Sequence, residues 1–268
     1  MNLETLLTDL AAESASLRSM VGTAGPDALL LSTPATGWTV AHQLAHLTWT
    51  DEMSTSAIAS VVPSVEGPYD WDQVLTDAVA APSSFVDDGA AALAAAEPTE
   101  LITRWDSGRA ALLAALRATP SDVRIPWYGP SMKATSMVTA RIMETWAHGL
   151  DVAAALGVEP TRTDRIRHVC HIGVATRSFV YAGRGLPTPD EPVRVTLTAP
   201  SGATWSWGEE GAIHEISGAA WEFAQVAVRR LHPDDTSLVA TPGPAREWLN
   251  IIQAFAGPPG ADPKPRRS

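Results

Sequence analysis

Apolar residues recur at helical spacing in the part of the chain that ends at Pro160, so this part is predicted to be helical. The first segment shows the pattern at Leu3, Leu6, Leu7, Leu10, Leu17 and Val21. Gly25 and Pro26 then end the segment. Further helices are predicted over 39–61, 71–79, 85–96, 100–116 and 133–156. We therefore expect an N-terminal bundle of four or five helices.

The pattern changes after Pro160, and we place a domain boundary near that residue. Val193, Val195 and Leu197 alternate with polar residues, as a half-buried strand does. Further strands are predicted over 203–207 and 213–216, and further helices over 164–181 and 218–231. The second domain is thus predicted to be small and to mix helices with strands, which puts the whole chain in the α+β class.

These patterns divide the chain into three segments. Residues 1–158 are predicted to form the helical bundle, and residues 159–256 the small α+β domain. Residues 257–268 are mostly Gly, Pro, Asp, Lys and Arg, which offer too little apolar surface to pack. We expect this last segment to be a disordered tail.

Length and charge narrow the possible functions. A chain of 268 residues can bury a core without disulfides or a structural metal, so a bound metal would serve chemistry rather than folding. The net charge of −11, with few basic groupings, argues against a nucleic-acid partner. The first twenty residues carry three acidic side chains among short apolar runs, which fits neither a signal peptide nor a membrane span. We expect a cytoplasmic protein with no membrane partner.

A candidate metal site lies on two of the predicted helices. Cys170 is the only cysteine, so any metal site must rely on imidazole and carboxylate ligands. Glu144 and His148 are one turn apart on the same helix face, and His46 inside the second helix is the candidate third ligand. Three ligands leave one coordination position open, as in catalytic zinc sites. Zinc is the favoured ion, although nickel or copper would suit the same ligands.

The candidate ligands and the other histidines can also be explained without a bound metal. A Glu–His pair at this spacing also arises as a surface hydrogen bond. His42 is more readily explained as a residue that caps the first turn of its helix or meets solvent. His168 and His171 flank Cys170, but their helix has no second cluster to complete a metal site.

Two aromatic residues precede the helix that carries Glu144. Trp127 and Tyr128 lie in a loop bracketed by Pro and Gly. Aromatic residues belong to the core more often than to a site, but a loop at this place can also form the wall of a pocket for a cofactor. Both explanations stay open at this point.

Three stretches of sequence bring these candidates together: GWTVAHQLAHL at 37–47, WYGP at 127–130 and ARIMETWAHGLDV at 140–152. They resemble the mycothiol-dependent maleylpyruvate isomerase family of the DinB-like superfamily, and more closely an actinobacterial metal-binding subfamily. The resemblance implies an N-terminal DinB-like four-helix bundle, in which His46, Glu144 and His148 hold zinc, followed by a small α/β C-terminal domain. His42 departs from the pattern, because similar proteins commonly have a small acidic residue there.

The resemblance also implies a thiol cosubstrate, mycothiol, bound at the open metal position. Arg141 would then hold a substrate carboxylate, or else form a salt bridge on the helix surface. Asp151 would either orient His148 or be solvated. Arg229 and Arg230 are further catalytic candidates, and one of them is expected to face a cleft between the two domains.

We therefore predict a metal-dependent enzyme that uses a low-molecular-weight thiol. It would either isomerise an unsaturated carboxylic acid or transfer the thiol to an electrophile, and its substrate would be a small, carboxylated molecule. One alternative is a metal-binding or small-molecule-binding protein without turnover. Another is a zinc-dependent hydrolase, although no proton-shuttle residue adjoins the ligands in sequence. The pattern is compatible with a monomer or a homodimer.

Overall fold

The computed structural model describes residues 2–257 and 262–266, and these residues confirm the α+β class. The described chain divides into two compact units between Pro160 and Thr161. In the described residues, no helix combines the length and the apolar character that crossing a membrane requires.

The first unit is built from helices. Their bounds are α1 Leu3–Ala24, α2 Val40–Ala59, α3 Trp71–Ala80, α4 Phe85–Ala94, α5 Pro98–Ala118 and α6 Ala134–Leu156. A 3₁₀ turn, Pro26–Leu30, follows α1. The helices α2 to α6 lie within two residues, at each end, of the ranges that the apolar spacing predicts.

Local signals fix several helix ends. The Asn2 side chain accepts a hydrogen bond from the Thr5 backbone N–H (2.8 Å) and so caps α1. The Asp70 side chain does the same for the first turn of α3. Helix α6 ends at Gly157, whose φ of 66° lies in the left-handed region that favours glycine.

The four longest helices of this unit, α1, α2, α5 and α6, pack against one another. Helix α2 contacts α5 and α6, and α1 contacts α6 and α5. The shorter α4 also packs on α2, and it does so closely at Gly89, where a Cβ atom would lie 2.5 Å from Trp49 Nε1. The DinB-like four-helix bundle, as a more detailed statement, stays a prediction.

Helix α2 is buried along almost its whole length, although it is not apolar all round. Gln43 and Asp51 are fully buried, and Glu52 is nearly so. Buried polar groups are costly unless they have hydrogen-bond partners, so α2 must meet polar groups from its neighbours. These contacts define the candidate site described below.

The second unit is built around a four-stranded mixed sheet. Its elements are α7 Arg167–Ala175, α8 Arg177–Gly183, β1 Val193–Thr198, β2 Thr204–Trp207, β3 His214–Ala219, α9 Ala220–Ala227, β4 Val239–Ala240 and α10 Pro244–Ile251. The strand order is β2-β1-β3-β4. Strand β1 forms an antiparallel hairpin with β2 and pairs in parallel with β3, which pairs antiparallel with β4.

Two helix predictions in this unit need correction. The single helix predicted over 164–181 is a 3₁₀ turn followed by α7 and α8, with a break at Thr176. The Thr176 hydroxyl donates to the carbonyls of Ile172 (2.9 Å) and Gln253 (2.8 Å), and such side-chain bonds compete with the helical ladder. The helix predicted over 218–231 is shorter, because Gly218 belongs to β3 and α9 ends at Ala227. The apolar pattern did not reveal β4 or α10.

The disordered tail predicted for 257–268 falls partly outside the described residues, which omit 258–261 and 267–268. Within the described part, Asp262 pairs with Arg184 and with Arg229. The backbone N–H of Arg266 donates to Asp235 Oδ2 (2.9 Å). This short segment therefore makes specific polar contacts with the second unit.

Candidate metal centre

Helix α2 begins with a reciprocal cap that involves His42. The Thr39 backbone N–H donates to His42 Nδ1 (3.3 Å), and the Thr39 hydroxyl lies 2.9 Å from the same nitrogen. The prediction that His42 caps the first turn is thus confirmed. His46 lies one turn further along α2, where it faces α6 instead of the cap.

His46, Glu144 and His148 come together between α2 and α6. Glu144 Oε2 lies 3.4 Å from His46 Nε2 and 3.3 Å from His148 Nε2. One donor atom from each residue lies within 4.8 Å of the other two. No other group of three His, Cys, Asp or Glu residues in the described chain meets that criterion.

These distances can be tested against the geometry of a bound ion. Two ligand atoms that are each about 2.0–2.1 Å from a tetrahedral zinc ion lie about 3.3–3.4 Å apart. The two separations to Glu144 Oε2, 3.4 and 3.3 Å, match that value. The side chains are also largely shielded from water, since 12% of each imidazole and 21% of the Glu144 side chain remain exposed.

A partly buried chain of hydrogen bonds orients the His148 ring. The Gln43 amide nitrogen donates to Thr33 Oγ1 (2.9 Å), and the Thr33 hydroxyl in turn donates to the Trp38 carbonyl (3.0 Å). This orientation leaves the Gln43 amide oxygen facing His148 Nδ1, with which it forms a hydrogen bond. Because an amide oxygen only accepts, Nδ1 carries a proton, and Nε2 is the ring nitrogen that faces Glu144.

A positive charge at His148 Nε2 or beside it would stabilise the contact with Glu144. An unprotonated His148 Nε2 with no ion beside it would repel the Glu144 carboxylate, whose Oε2 lies 3.3 Å away. Either a second proton on His148 or a metal ion removes that repulsion. His46 Nδ1 is buried and has no hydrogen-bond partner among the described residues, so only one of the two imidazoles is oriented by a relay.

Trp38 covers the two imidazoles. Its ring lies 6.1 Å from that of His148 in a nearly parallel arrangement, and 5.6 Å from that of His46. The two imidazoles are themselves 4.5 Å apart between ring centres. Trp38 thus shields part of the site from solvent and restricts the orientations of both rings.

Arg141 lies behind Glu144 and is buried. Its Nη2 is 3.8 Å from Glu144 Oε2, and its Nη1 has no partner among the described residues. Burial lowers the pKa of Arg141, while the charges of Glu144 and Asp51 act in the opposite direction. For Glu144, burial by itself would raise the pKa, but hydrogen bonds from His148 and His46 and the charge of Arg141 hold that pKa well below its usual range. The carboxylate is therefore ionised at neutral pH.

A second buried ion pair lies deeper in the same unit. Arg109 Nε donates to Asp51 Oδ2 (2.6 Å), and Arg109 Nη1 donates to Ser14 Oγ (2.6 Å) and Thr145 Oγ1 (3.1 Å). The Thr145 hydroxyl then donates to the Arg141 carbonyl (2.7 Å). This network connects α1, α2, α5 and α6 beneath the ligands.

The site lies within a region that matches a known family. The profile described as mycothiol maleylpyruvate isomerase N-terminal domain matches residues 10–153, more than half of the 268-residue chain. The chain belongs to this family. This match confirms the resemblance inferred from the sequence. The three candidate ligands, His46, Glu144 and His148, all lie within the residues that the family profile matches.

Close relatives of this family member occur in Mycobacterium tuberculosis. Two proteins, from strains CDC 1551 / Oshkosh and ATCC 25618 / H37Rv, are each 44% identical over 254 residues, which cover 95% of this chain and 96% of the relative. Both are named only as uncharacterized proteins. They are similar over almost their whole length, but they assign no reaction.

Solved structures support the fold. Two crystal structures of the mycothiol-dependent maleylpyruvate isomerase, one of them a mutant, align with a TM-score of 0.60 and identities of 16% and 17%. Each alignment covers 91% of this chain and 94% of the solved chain. At such low identity the likeness concerns the fold alone.

Trp127 and Tyr128 belong to an aromatic cluster of the first unit. The Trp127 ring stacks on Trp71 at 5.8 Å, and the Tyr128 ring lies 5.4 Å from Trp71 and 5.8 Å from Phe85. Trp127 packs on the apolar core, and Tyr128 stays 38% exposed. Their predicted part in cofactor binding stays a prediction.

The other predicted site residues are Asp151 on α6 and the pair Arg229 and Arg230 in the second unit. Asp151 is buried, so the solvated alternative for its carboxylate is wrong. Arg229 pairs with Asp262, and Arg230 donates to the Val228 carbonyl (2.9 Å), both within the second unit. The catalytic roles of Arg229, Arg230 and Arg141 stay predictions.

His168 and His171 do not form a second metal site. His168 and Cys170 are buried, whereas His171 is exposed. The Cys170 thiol donates weakly to the Ala220 carbonyl (3.5 Å), and burial raises its pKa. Cys170 is thus a small core residue and not a reactive thiol.

Gln43 and Thr33, which orient His148, were not among the functional residues predicted from the sequence. The available signal was an amide inside a helical stretch that is otherwise apolar, three residues before a candidate ligand. A buried amide needs partners for its donors and its acceptor, and the partner of the Gln43 oxygen is another candidate ligand, His148.

Proposed function

We propose that this protein is a metal-dependent enzyme that uses a low-molecular-weight thiol, mycothiol, to isomerise an unsaturated carboxylic acid. The observation that carries the proposal is the convergence of His46 and His148 on Glu144, with His148 Nε2 directed at the carboxylate by the hydrogen bond between Nδ1 and Gln43. Membership of the mycothiol maleylpyruvate isomerase family supports the use of the thiol.

A bound divalent ion, which we propose to be zinc, would lower the pKa of a coordinated thiol and so keep it as a nucleophilic thiolate at neutral pH. His46, Glu144 and His148 would hold the ion and leave a position open. Gln43 keeps His148 in the tautomer that presents Nε2. Trp38 excludes water from the two imidazoles, and Arg141 balances the charge of Glu144 from behind.

The proposed reaction consumes no thiol. Addition of the thiolate to the double bond gives a carbon–carbon single bond, rotation follows, and expulsion of the same thiolate restores the double bond in the other geometry. The negative charge that develops would pass to the oxygens of a carbonyl or carboxyl group conjugated to the double bond, where a cationic side chain must balance it. Arg141, Arg229 and Arg230 are the proposed partners of substrate carboxylates, and Trp127 and Tyr128 the proposed wall for the thiol.

The thiol must come from outside the chain. Cys170 is the only cysteine, it is fully buried, and burial raises its pKa. A thiol in that environment is mostly protonated and inaccessible. We further propose that the first unit is a DinB-like four-helix bundle and that the protein acts in the cytoplasm as a monomer or homodimer.

The proposal is tested by titrating cobalt-substituted protein with mycothiol and following the visible absorption of the metal. We expect a thiolate-to-cobalt band in the parent and in Cys170→Ala, and no band in His46→Ala. Isomerisation of an unsaturated dicarboxylic acid should need added mycothiol. If mycothiol changes neither the spectrum nor the heat of mixing, the alternative of a binding protein without turnover, or of a hydrolase, takes precedence.

A further inference from the structure

Trp38 lies at the candidate metal centre without being one of its ligands. The centre of its indole ring is 5.6 Å from the ring centre of His46 and 6.1 Å from that of His148. These are the two imidazoles that converge on Glu144. The indole plane is only 18° from parallel to the His148 ring, so the indole presents a flat face and not an edge to that ligand. A broad apolar surface therefore borders both nitrogen ligands.

The backbone of Trp38 is anchored at both of its polar groups. Its N–H donates to the Ala35 carbonyl (2.9 Å), and its carbonyl accepts from the N–H (2.9 Å) and the hydroxyl (3.0 Å) of Thr33. An antiparallel bridge between Ser32 and Thr39 closes the turn in which Trp38 lies. The turn formed by residues 32–39 therefore holds the indole at a defined position above the two ligands.

The ring of Trp38 is also restrained by the start of α2. The centre of the His42 ring lies 6.1 Å from the indole centre, and the Thr39 backbone N–H donates to His42 Nδ1 (3.3 Å). His46 follows one turn later on the same face of the helix. The indole thus lies beside two histidines of α2 and beside His148 of α6, so it cannot move aside without losing one of these ring contacts.

A ligand at the open position of a bound ion would be a close neighbour of this indole. In a tetrahedral zinc site, a fourth ligand atom that is a sulfur lies about 3.5 Å from each nitrogen ligand. The indole centre is at a comparable distance from the same imidazoles, 5.6 Å from the ring centre of His46. Trp38 therefore limits, on its side, the space for the atoms that are attached to that sulfur.

We propose that Trp38 selects the thiol: its fixed indole face admits a thiol whose sulfur is carried by a CH₂ group and excludes one whose sulfur-bearing carbon is fully substituted. This inference rests on the proposed function, because it requires a thiol at the open position of the metal. A wall that cannot yield penalises added methyl groups, as an overpacked core does. Selectivity of this kind depends on excluding the wrong ligand more than on attracting the right one.

Two thiols that differ only beside the sulfur test the proposal. N-acetylcysteine carries its sulfur on a CH₂ group, whereas N-acetylpenicillamine has two methyl groups on the same carbon. Each thiol is titrated into cobalt-substituted protein, and the thiolate-to-cobalt band gives its dissociation constant. The parent should bind N-acetylcysteine about tenfold more tightly, or better, than N-acetylpenicillamine. Trp38→Leu should bind the two thiols with affinities that agree within about twofold.

The ratio of the two dissociation constants separates selection from general damage to the site, because a weakened metal centre would affect both thiols alike. Trp38→Phe keeps a smaller flat ring in the same place and should give an intermediate ratio. It is also the variant to compare if Trp38→Leu does not retain cobalt. Phe179→Leu is the control, since it removes an exposed aromatic ring of the second unit, and it should leave the ratio unchanged.

Failure of this inference and failure of the proposed function give different results. If neither thiol produces a band with the parent, the proposed use of a thiol is wrong and selection by Trp38 is wrong with it. If the parent binds both thiols equally, thiol binding stands and only the selection is refuted. The selection is likewise refuted if the preference of the parent persists in the Trp38 variants, or if these variants hold cobalt but bind neither thiol.

Discussion

At the scale of single residues, the chemistry of the candidate centre depends on one amide group. Gln43 is fully buried, donates to Thr33 and accepts from His148, so it has a single orientation. That orientation decides which nitrogen of His148 is available to an ion. Removal of a side chain that orients a metal ligand in this way typically costs about 10- to 100-fold in metal affinity.

Replacing Gln43 by Leu should therefore weaken metal binding about 10- to 100-fold, because His148 loses the acceptor that fixes its tautomer. The measurement is the dissociation constant for Zn²⁺ in competition with a chromophoric chelator. Gln73→Leu is the matched control, since Gln73 is exposed and contacts only Asp77 through its amide nitrogen. Equal affinities for Gln43→Leu and the parent would show that the relay has no part in metal binding.

At the scale of helices, the Asp51–Arg109 pair connects the four longest elements of the first unit. Asp51 comes from α2 and Arg109 from α5, while Ser14 of α1 and Thr145 of α6 accept from the same guanidinium. Asp51 Oδ1 and Arg109 Nη2 have no partner among the described residues. The hydrogen-bonding capacity of this network is thus only partly used. If one member is removed, no neighbouring group is in place to replace its hydrogen bonds.

Asp51→Ala is expected to lower the free energy of unfolding by about 3–5 kcal/mol, because it leaves the Arg109 charge buried and unpaired. Urea denaturation measures the change. Asp106→Ala is the comparison, since Asp106 is exposed where it pairs with Arg18, and it should cost less than about 1 kcal/mol. Similar losses for the two variants would contradict a special role for the buried pair.

The end of α6 gives a test of its own. Gly157 has a φ of 66°, so Gly157→Ala should destabilise the protein by about 1 kcal/mol. Gly108→Ala, inside α5, should instead stabilise it by about 0.5–1 kcal/mol, because the new Cβ meets only Glu52 Cγ at 3.9 Å. Thermal unfolding of the two variants should shift in opposite directions. A shift of the same sign in both would refute the assignment of Gly157 as a left-handed helix cap.

At the scale of the whole molecule, the sequence predicted what local periodicity can encode. Helices α1 to α6 follow from apolar residues at helical spacing, and the hairpin of β1 and β2 follows from alternation around a Pro-Ser-Gly turn. The parallel pairing of β1 with β3 has no such local signal. That pairing depends on the path of the chain that connects β1 to β3, which the strand sequences do not encode. Strand β4 was not predicted because its two residues are too few to show an alternating pattern.

The same division applies to the candidate centre. Glu144 and His148 were recognisable because they lie one turn apart, and His46 because an imidazole in an apolar helix needs a partner. Gln43 was missed because its partner His148 lies 105 residues away, and Asp51 because Arg109 lies 58 residues away. Such pairs are decided by helix packing, which spacing along one helix does not specify.

The central claim is that His46, Glu144 and His148 hold one divalent ion, and the metal content of purified protein tests it most directly. Elemental analysis should find about one equivalent in the parent and in His168→Ala, because His168 is a buried residue of the second unit and is not one of the three ligands. His148→Ala should retain less than about a tenth of an equivalent. Equal metal contents in the parent, His148→Ala and His168→Ala would contradict the assigned site.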